Sequence, residues 1–448
     1  MSVLQRLNWG IGISVFCIGL DASSANALLQ VLQQFYNIPT SWSIWSIIVY
    51  HVCMAALLLP LANMGEKFGF KRFFKFGIGV YCLGALACFY ADNFGLFIFG
   101  RLLIGTAAAC ILGSQVALIK LSSPKDKMGT YLGISAFVIA IGFALGPTYA
   151  GLLVELVNFK WIYILGIPLQ MLSFLCIYKH LPQNQDLNRT LSILETIGVS
   201  LTLFLFLLGL FLLRDHSLTA LGALLILTAV GVLWVLFKKT KAKAYPIFPF
   251  DLIQNPAIIQ SLIPTLNLFC IQSVVYISLP LVLYQNYDYS LKTIGLCILP
   301  WPLVASVLAP LSGYLSDRFS ATKLSLWGIT QIGLGVCFLP IAISFDSIYI
   351  LVIVMLQCGI GFGLFQAPNI KSVMSVVSNN RNGAASALLA LFRILGQTFG
   401  GILVSTFTVL NFTEKWPYVF YIAGGLTLIG VSCLVFKLMT ESRIKDSI

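Results

Sequence analysis

Apolar residues run along this chain in stretches of about twenty, each ended by a short connection that carries most of the charge. A helix crossing the ~30 Å hydrocarbon core of a bilayer needs about that many. Backbone groups in lipid must be satisfied within their own segment, so each stretch reads as a helix. The pattern predicts fourteen spans, at 8–31, 43–63, 72–91, 94–120, 129–156, 160–179, 191–213, 217–237, 257–284, 291–315, 323–343, 347–371, 383–409 and 416–438. The first is too long, and continues too directly into the others, to be a removable leader. The fold class expected is all-α and integral to a membrane.

Charge placement orients the spans. With both termini on the cytoplasmic side, 21 of the 27 basic residues fall on inner connections, among them Lys75, Lys127, Lys238, Lys239, Lys241 and Lys243. Lys160, Arg214, Lys292 and Lys415 fall outside, and Arg101 and Arg393 fall within spans. An excess of Lys and Arg that alternates loop by loop is the positive-inside pattern. The net charge of +12 therefore reports orientation in a bilayer. No basic domain exists, and nucleic acid is not an expected partner.

Composition narrows the class further. Only 9% of the residues are charged, against roughly 25% in soluble domains, so the chain lacks a surface for water. All eleven cysteines lie inside apolar stretches without C-x-x-C spacing. They read as small packing residues, with neither disulfides nor a metal site. Three histidines are too few for a catalytic cluster at a membrane face, so an enzyme is not expected. Residues 142–151 lack the Gly-Lys-Ser/Thr ending of a phosphate loop, so no nucleotide or other cofactor is expected either.

The chain also repeats itself. The connection after the second span runs from Ala62 through Gly65, Glu66, Lys67, Phe68 and Gly69 to Arg72. The connection after the tenth runs from Gly313 through Asp317, Arg318 and Phe319 to Lys323. Acid, base and phenylalanine keep the same order at an offset of 251 positions (317 − 66). Two six-helix halves joined by two extra helices account for that spacing. The expected division is 1–185 for the first bundle, 186–245 for the extra helices and their cytoplasmic linker, and 246–448 for the second bundle. Parallel repeats of this kind are built into one class of transporters.

These loops resemble the Gly-x-Leu-Ala-Asp-Arg-x-Gly-Arg-Lys signature of the major facilitator superfamily, although the first copy has Ala62, Glu66 and Lys67 where the signature has Gly, Asp and Arg. Residues 100–108, around Arg101, are similar to its membrane-embedded arginine motif. Gly142, Gly146, Pro147 and Gly151 stand as in the motif associated with antiporters. Residues 20–28 are similar to the Leu-Asp-x-Thr-x-x-Asn motif of the fourteen-helix drug:proton antiporter branch, and residues 246–255, 294–300 and 383–396 also fit that branch. The resemblance implies a multidrug-type, proton-coupled exporter of small amphipathic compounds. It would work as a monomer by alternating access in a bacterial inner membrane.

Each motif has a mechanical reading beside a plainer one. Glu66, Lys67, Gly69, Asp317 and Arg318 can gate the cytoplasmic face, because an acid set against a helix N-terminus or a base holds that face closed; otherwise they are inside-positive charge. Gly146-Pro147 removes a helix hydrogen bond and bends the fifth span, as part of exchange or as a packing kink.

Asp21 lies about 16 Å into the first span, near the midplane. An ionisable residue there is a functional candidate by default. Burial favours its neutral form and a nearby cation its charged form, as a proton carrier requires; capping a broken helix is the structural alternative. Arg101, roughly 10 Å deep, is its expected partner in proton coupling. Asn26, Gln115, Trp301 and Arg393 are expected to line a substrate cavity, with Gln272 and Gln366 as further candidates; packing between helices is the alternative for each. His51 is a lesser candidate for proton exchange. One buried acid against two buried bases leaves positive charge in excess, so an anionic metabolite or siderophore is the alternative cargo.

Overall fold

The computed structural model describes residues 3–38, 40–43, 45–124, 127–178, 192–213, 218–240, 246–289, 291–409 and 412–446. Fourteen principal helices follow one another. They are α1 (Val3–Ala27), α2 (Trp45–Phe68), α3 (Phe70–Phe89), α4 (Phe94–Ser122), α5 (Met128–Leu156), α6 (Gly166–Ile177) and α7 (Ile193–Leu212). The series continues with α8 (Thr219–Thr240), α9 (Pro256–Tyr287), α10 (Pro300–Arg318), α11 (Ala321–Ser344), α12 (Ile348–Val376), α13 (Asn382–Val409) and α14 (Phe412–Asp446).

Twelve helices among the described residues are long and apolar enough to cross a membrane. The two helices outside that group are α1 and α6. Polar Asn8, Asp21, Ser23 and Ser24 interrupt the apolar run of α1, and the sixth run is broken at Leu165, between the turn Trp161–Ile164 and α6. The expected first span, 8–31, also differs. Its helix stops at Ala27, and Leu29–Tyr36 forms a separate helix ended by Asn37 in the left-handed region (φ 51°). Of the basic residues used to orient the chain, Lys125, Lys179, Arg189, Arg214, Lys241 and Lys243 lie outside the described residues.

Side-chain chemistry sets several of the starts. Asn93 caps α4 by accepting from the Leu96 amide at 2.8 Å, and Asn255 caps α9 by accepting from Ala257, with Pro256 in the first turn. Between α2 and α3 the backbone turns at Gly69 with φ 100°, a conformation open to glycine alone at little cost.

The pattern of exposure is that of a protein facing lipid. Leu227, Val307, Trp327 and Leu428 are all largely exposed on helix surfaces, where a soluble protein would carry charge. The buried residues gather chiefly into two large clusters. One is built from α1–α8, joined by Ala387, Ala390, Leu391 and Ile394 of α13. The other comes from α9–α14. Across the boundary α5 lies along α10, and α13 lies along α2 and α4. The extra pair α7–α8 packs together, and α7 rests on α2 and α13.

Candidate functional site

Folding brings together the acid and the arginine that the sequence places in separate spans. Arg101 Nη1 on α4 donates to Asp21 Oδ2 on α1 at 2.7 Å, and both side chains are buried. Arg101 Nε donates to the Ser46 carbonyl on α2 at 3.1 Å. Its guanidinium lies 4.8 Å from the Tyr50 ring centroid and 5.9 Å from that of Tyr163, which shields the charge from the apolar interior. Asp21 Oδ1 and Arg101 Nη2 have no hydrogen-bond partner among the described residues. Such a pair is poised: removing one charge leaves the other buried and uncompensated, which costs about 3–5 kcal/mol.

Close to Asp21, α1 is stitched to α5. Pro147 has no amide hydrogen to give to the Phe143 carbonyl, and Ser23 Oγ donates to that carbonyl instead, at 2.6 Å. Ser24 Oγ donates to the Gly146 carbonyl at 3.1 Å and to Leu20 at 2.7 Å. The helices meet here because Gly142 and Gly146 have no side chains. A Cβ on Gly142 would stand 2.6 Å from the Phe16 carbonyl oxygen, and one on Gly146 would stand 2.5 Å from Ser23 Cβ. Gly151, the last glycine of the motif, is exposed with open space around it and takes no part. The side chains of Pro147 and Asn26 lie outside those described.

The two repeated acids each reach into the opposite half. Asp317, at the end of α10, accepts from the Gly129 amide (2.9 Å), the Thr130 amide (3.0 Å) and Thr130 Oγ1 (2.8 Å) in the first turn of α5. Lys371 of α12 completes its shell at 2.7 Å. Glu66, at the end of α2, accepts from the Ala384 amide in the first turn of α13 at 2.9 Å. Carboxylates at helix N-termini meet free amides and the positive end of the helix dipole.

Around Glu66 the link is wider. Arg381 lies 3.9 Å from it, forms a two-pronged pair with Asp251 (2.6 and 3.0 Å), and donates to the Pro246 carbonyl at 3.3 Å. Asn63 Nδ2 holds the next carbonyl, of Ile247, at 3.0 Å. Lys120, at the end of α4, donates to the Met374 and Val377 carbonyls at the end of α12, each at 2.7 Å. The other members of the expected gating set stand apart from these contacts. Gly69 forms the turn between helices, Lys67 lies over Phe68, and Arg318 is exposed and lies over Tyr314.

Between the halves lies a cavity of about 60 Å³, walled by Gln115, Ser135 and Leu132 from one side and by Thr265, Phe269, Gln366, Asn369, Ser386 and Arg393 from the other. Gln115 and Arg393 thus both face it. Trp301 does not: it is fully buried in the second cluster, with its ring against Tyr276 and Phe362, because its position on α10 turns a large apolar ring toward the neighbouring helices of its own half. Gln272 is likewise absent from the wall. His51 Nδ1 bonds its own helix at the Ile47 carbonyl (2.9 Å). A volume this small holds about two waters and no drug-sized ligand, so the halves are drawn together in this conformer.

Comparison with known proteins decides the family. The profile of the Major Facilitator Superfamily matches residues 11–396 and, separately, 262–447. The chain belongs to the major facilitator superfamily. It is 29% identical over 443 residues to the uncharacterised transporter YebQ of Escherichia coli, covering 97% of this chain and 94% of that one. It is 23% identical to the riboflavin transporter RibZ of Clostridioides difficile, covering 95% and 96%, and 26% identical to the drug efflux pump JefA of Mycobacterium tuberculosis, covering 91% and 81%. As a major facilitator protein it is a multi-pass membrane protein and a secondary transporter.

Sequence reading missed several residues of this major facilitator site. Arg381 and Lys371 read only as inside-positive charge, and Asp251 was not singled out within residues 246–255, which read as part of a branch motif. Tyr50 carried no charge to single it out. Lys371 had one usable signal: it follows Lys120 by 251 positions (371 − 120), the offset of the two acids.

Proposed function

We propose that this chain exports small amphipathic compounds across the bacterial cytoplasmic membrane in exchange for protons, as a monomer working by alternating access. The observation that carries this reading is the buried Asp21–Arg101 pair, with its members on α1 and α4 and a free atom on each. In the charged state Asp21 balances Arg101. A proton on Asp21 removes the anion and leaves the guanidinium with a carbonyl and two rings, so α1 and α4 favour a different relative placement. Return of the proton restores the pair. The halves are taken as residues 1–185 and 246–448, joined by the extra helices, with both termini in the cytoplasm.

In this conformer the acids at the ends of α2 and α10 hold the helix starts of the opposite half. Both belong to connections whose basic charge supports the cytoplasmic side. Opening that face requires Glu66 to leave Ala384 and Asp317 to leave Gly129 and Thr130. The name of JefA supports export of drug-like compounds, and that of RibZ supports an organic cargo of another kind. The test is transport by the purified chain in proteoliposomes with an imposed pH gradient. Accumulation that follows the gradient and collapses with a protonophore supports the exchange, and accumulation indifferent to the gradient rejects it.

A further inference from the structure

The cavity wall carries a cation and no acid. Arg393 is its one charged residue among those described, and no described carboxylate pairs with it. Its guanidinium stands 5.8 Å from the Phe269 ring centroid, leaving its polar edge without an anion. Two further wall residues hold buried polar atoms. Asn369 and Ser386 are at most 2% exposed, and Asn369 Oδ1 and Ser386 Oγ have no hydrogen-bond partner among the described residues. The Asn369 amide is fixed in place, because its Nδ2 donates to Thr265 Oγ1 at 2.7 Å and to the Ser261 carbonyl at 3.1 Å. A buried acceptor held in this way, beside an uncompensated guanidinium, asks for a ligand with both an anion and a donor.

We propose that the transported compound is an amphipathic organic anion, with its carboxylate or similar acidic group on Arg393, an N–H or O–H on Asn369 Oδ1, and a flat apolar body against Phe269 and Phe365. The proposal rests on the transporter reading of this cavity. A cationic compound would meet the guanidinium with no acid on the wall to offset it, and a neutral one would leave Arg393 unpaired.

The experiment uses the full chain in lipid nanodiscs and three aromatic scaffolds, phenyl, naphthyl and anthracenyl, each as the acetate, the primary amide and the trimethylammonium compound. Binding is read by calorimetry. At least one acetate should bind about tenfold or more tightly than its amide and ammonium counterparts. Arg393→Gln should bring the three within about threefold, while Arg393→Lys keeps the order. Unchanged elution and melting temperature of both variants establish that they fold. The inference is overturned if ammonium compounds bind as tightly as acetates, if no acetate binds, or if Arg393→Gln keeps the preference. An acetate preference without gradient-driven transport would reject the proton coupling alone.

Discussion

Glu66 and Ala384, 318 positions apart, are joined by a 2.9 Å hydrogen bond from the first turn of α13 to the last turn of α2. The bond has a twin: Asp317 of α10 accepts from Gly129 of α5 at 2.9 Å. Each half thus caps a helix of the other, and the two contacts are related by the internal repeat. The two caps draw on different groups. Asp317 accepts from two amides, a hydroxyl and an ammonium, while Glu66 accepts from the Ala384 amide and shares Arg381 with Asp251.

Asp317→Asn should reduce transport about fivefold or more with near-normal abundance. The amide cannot satisfy two N–H groups, a hydroxyl and Lys371 together. Glu66→Gln should have a milder effect, since its remaining oxygen can still accept from Ala384. Initial rates in vesicles, normalised to protein in the membrane, check both; wild-type rates in the pair would reject a latch.

Asp21→Asn should abolish accumulation driven by a pH gradient yet leave downhill exchange of substrate in place, because the cavity wall does not include Asp21. Asp21→Glu should keep part of the coupling with an altered pH dependence. Counterflow measured beside gradient-driven uptake separates the two activities. If Asp21→Asn concentrates substrate at the normal rate, the proton travels elsewhere, and His51 is the next residue to test.

Arg381→Ala should destabilise the fold by about 2–5 kcal/mol, since it leaves Asp251 without its two-pronged partner and removes a buried cation beside Glu66. Arg381→Lys should recover little, because one ammonium cannot replace the planar fork that grips Asp251 while reaching Pro246. Melting temperatures in detergent test this, and equal values for wild type and Arg381→Ala would contradict it.

Reporter fusions after Lys75, Lys127 and Lys243 should face the cytoplasm, and fusions near Asn37 and Asp288 the outside. A linker around Lys238–Lys243 found on the outer side would overturn the orientation.

The helices were legible because lipid enforces a single demand, apolar length, which hydropathy measures directly. The break at Leu28 was not, since Leu and Ala on either side continue the apolar run without a proline or glycine to mark the end. Asp21 and Arg101 were legible because few charges interrupt the spans. What the acids hold was hidden, since Ala384, Gly129 and Thr130 are recognised largely through backbone amides, which every residue type but proline carries. Trp301 was misplaced for a related reason: hydropathy gives the depth of an aromatic residue but not the face of the helix it occupies.

The Ser23 bond to the carbonyl vacated by Pro147 has a mechanical consequence. Phe143 lies 14 residues from Gly129 on the same unbroken helix, roughly 21 Å along its axis. With α1 fastened to α5 at mid-depth and Asp317 fastened to its inner tip, α5 becomes a lever whose load and latch sit at separate points. Under the proposed proton exchange, a tilt of α1 would reach the far end through the helix itself, without any relay of side chains. On that proposal, an acid that never touches the Asp317 contact would still act on it.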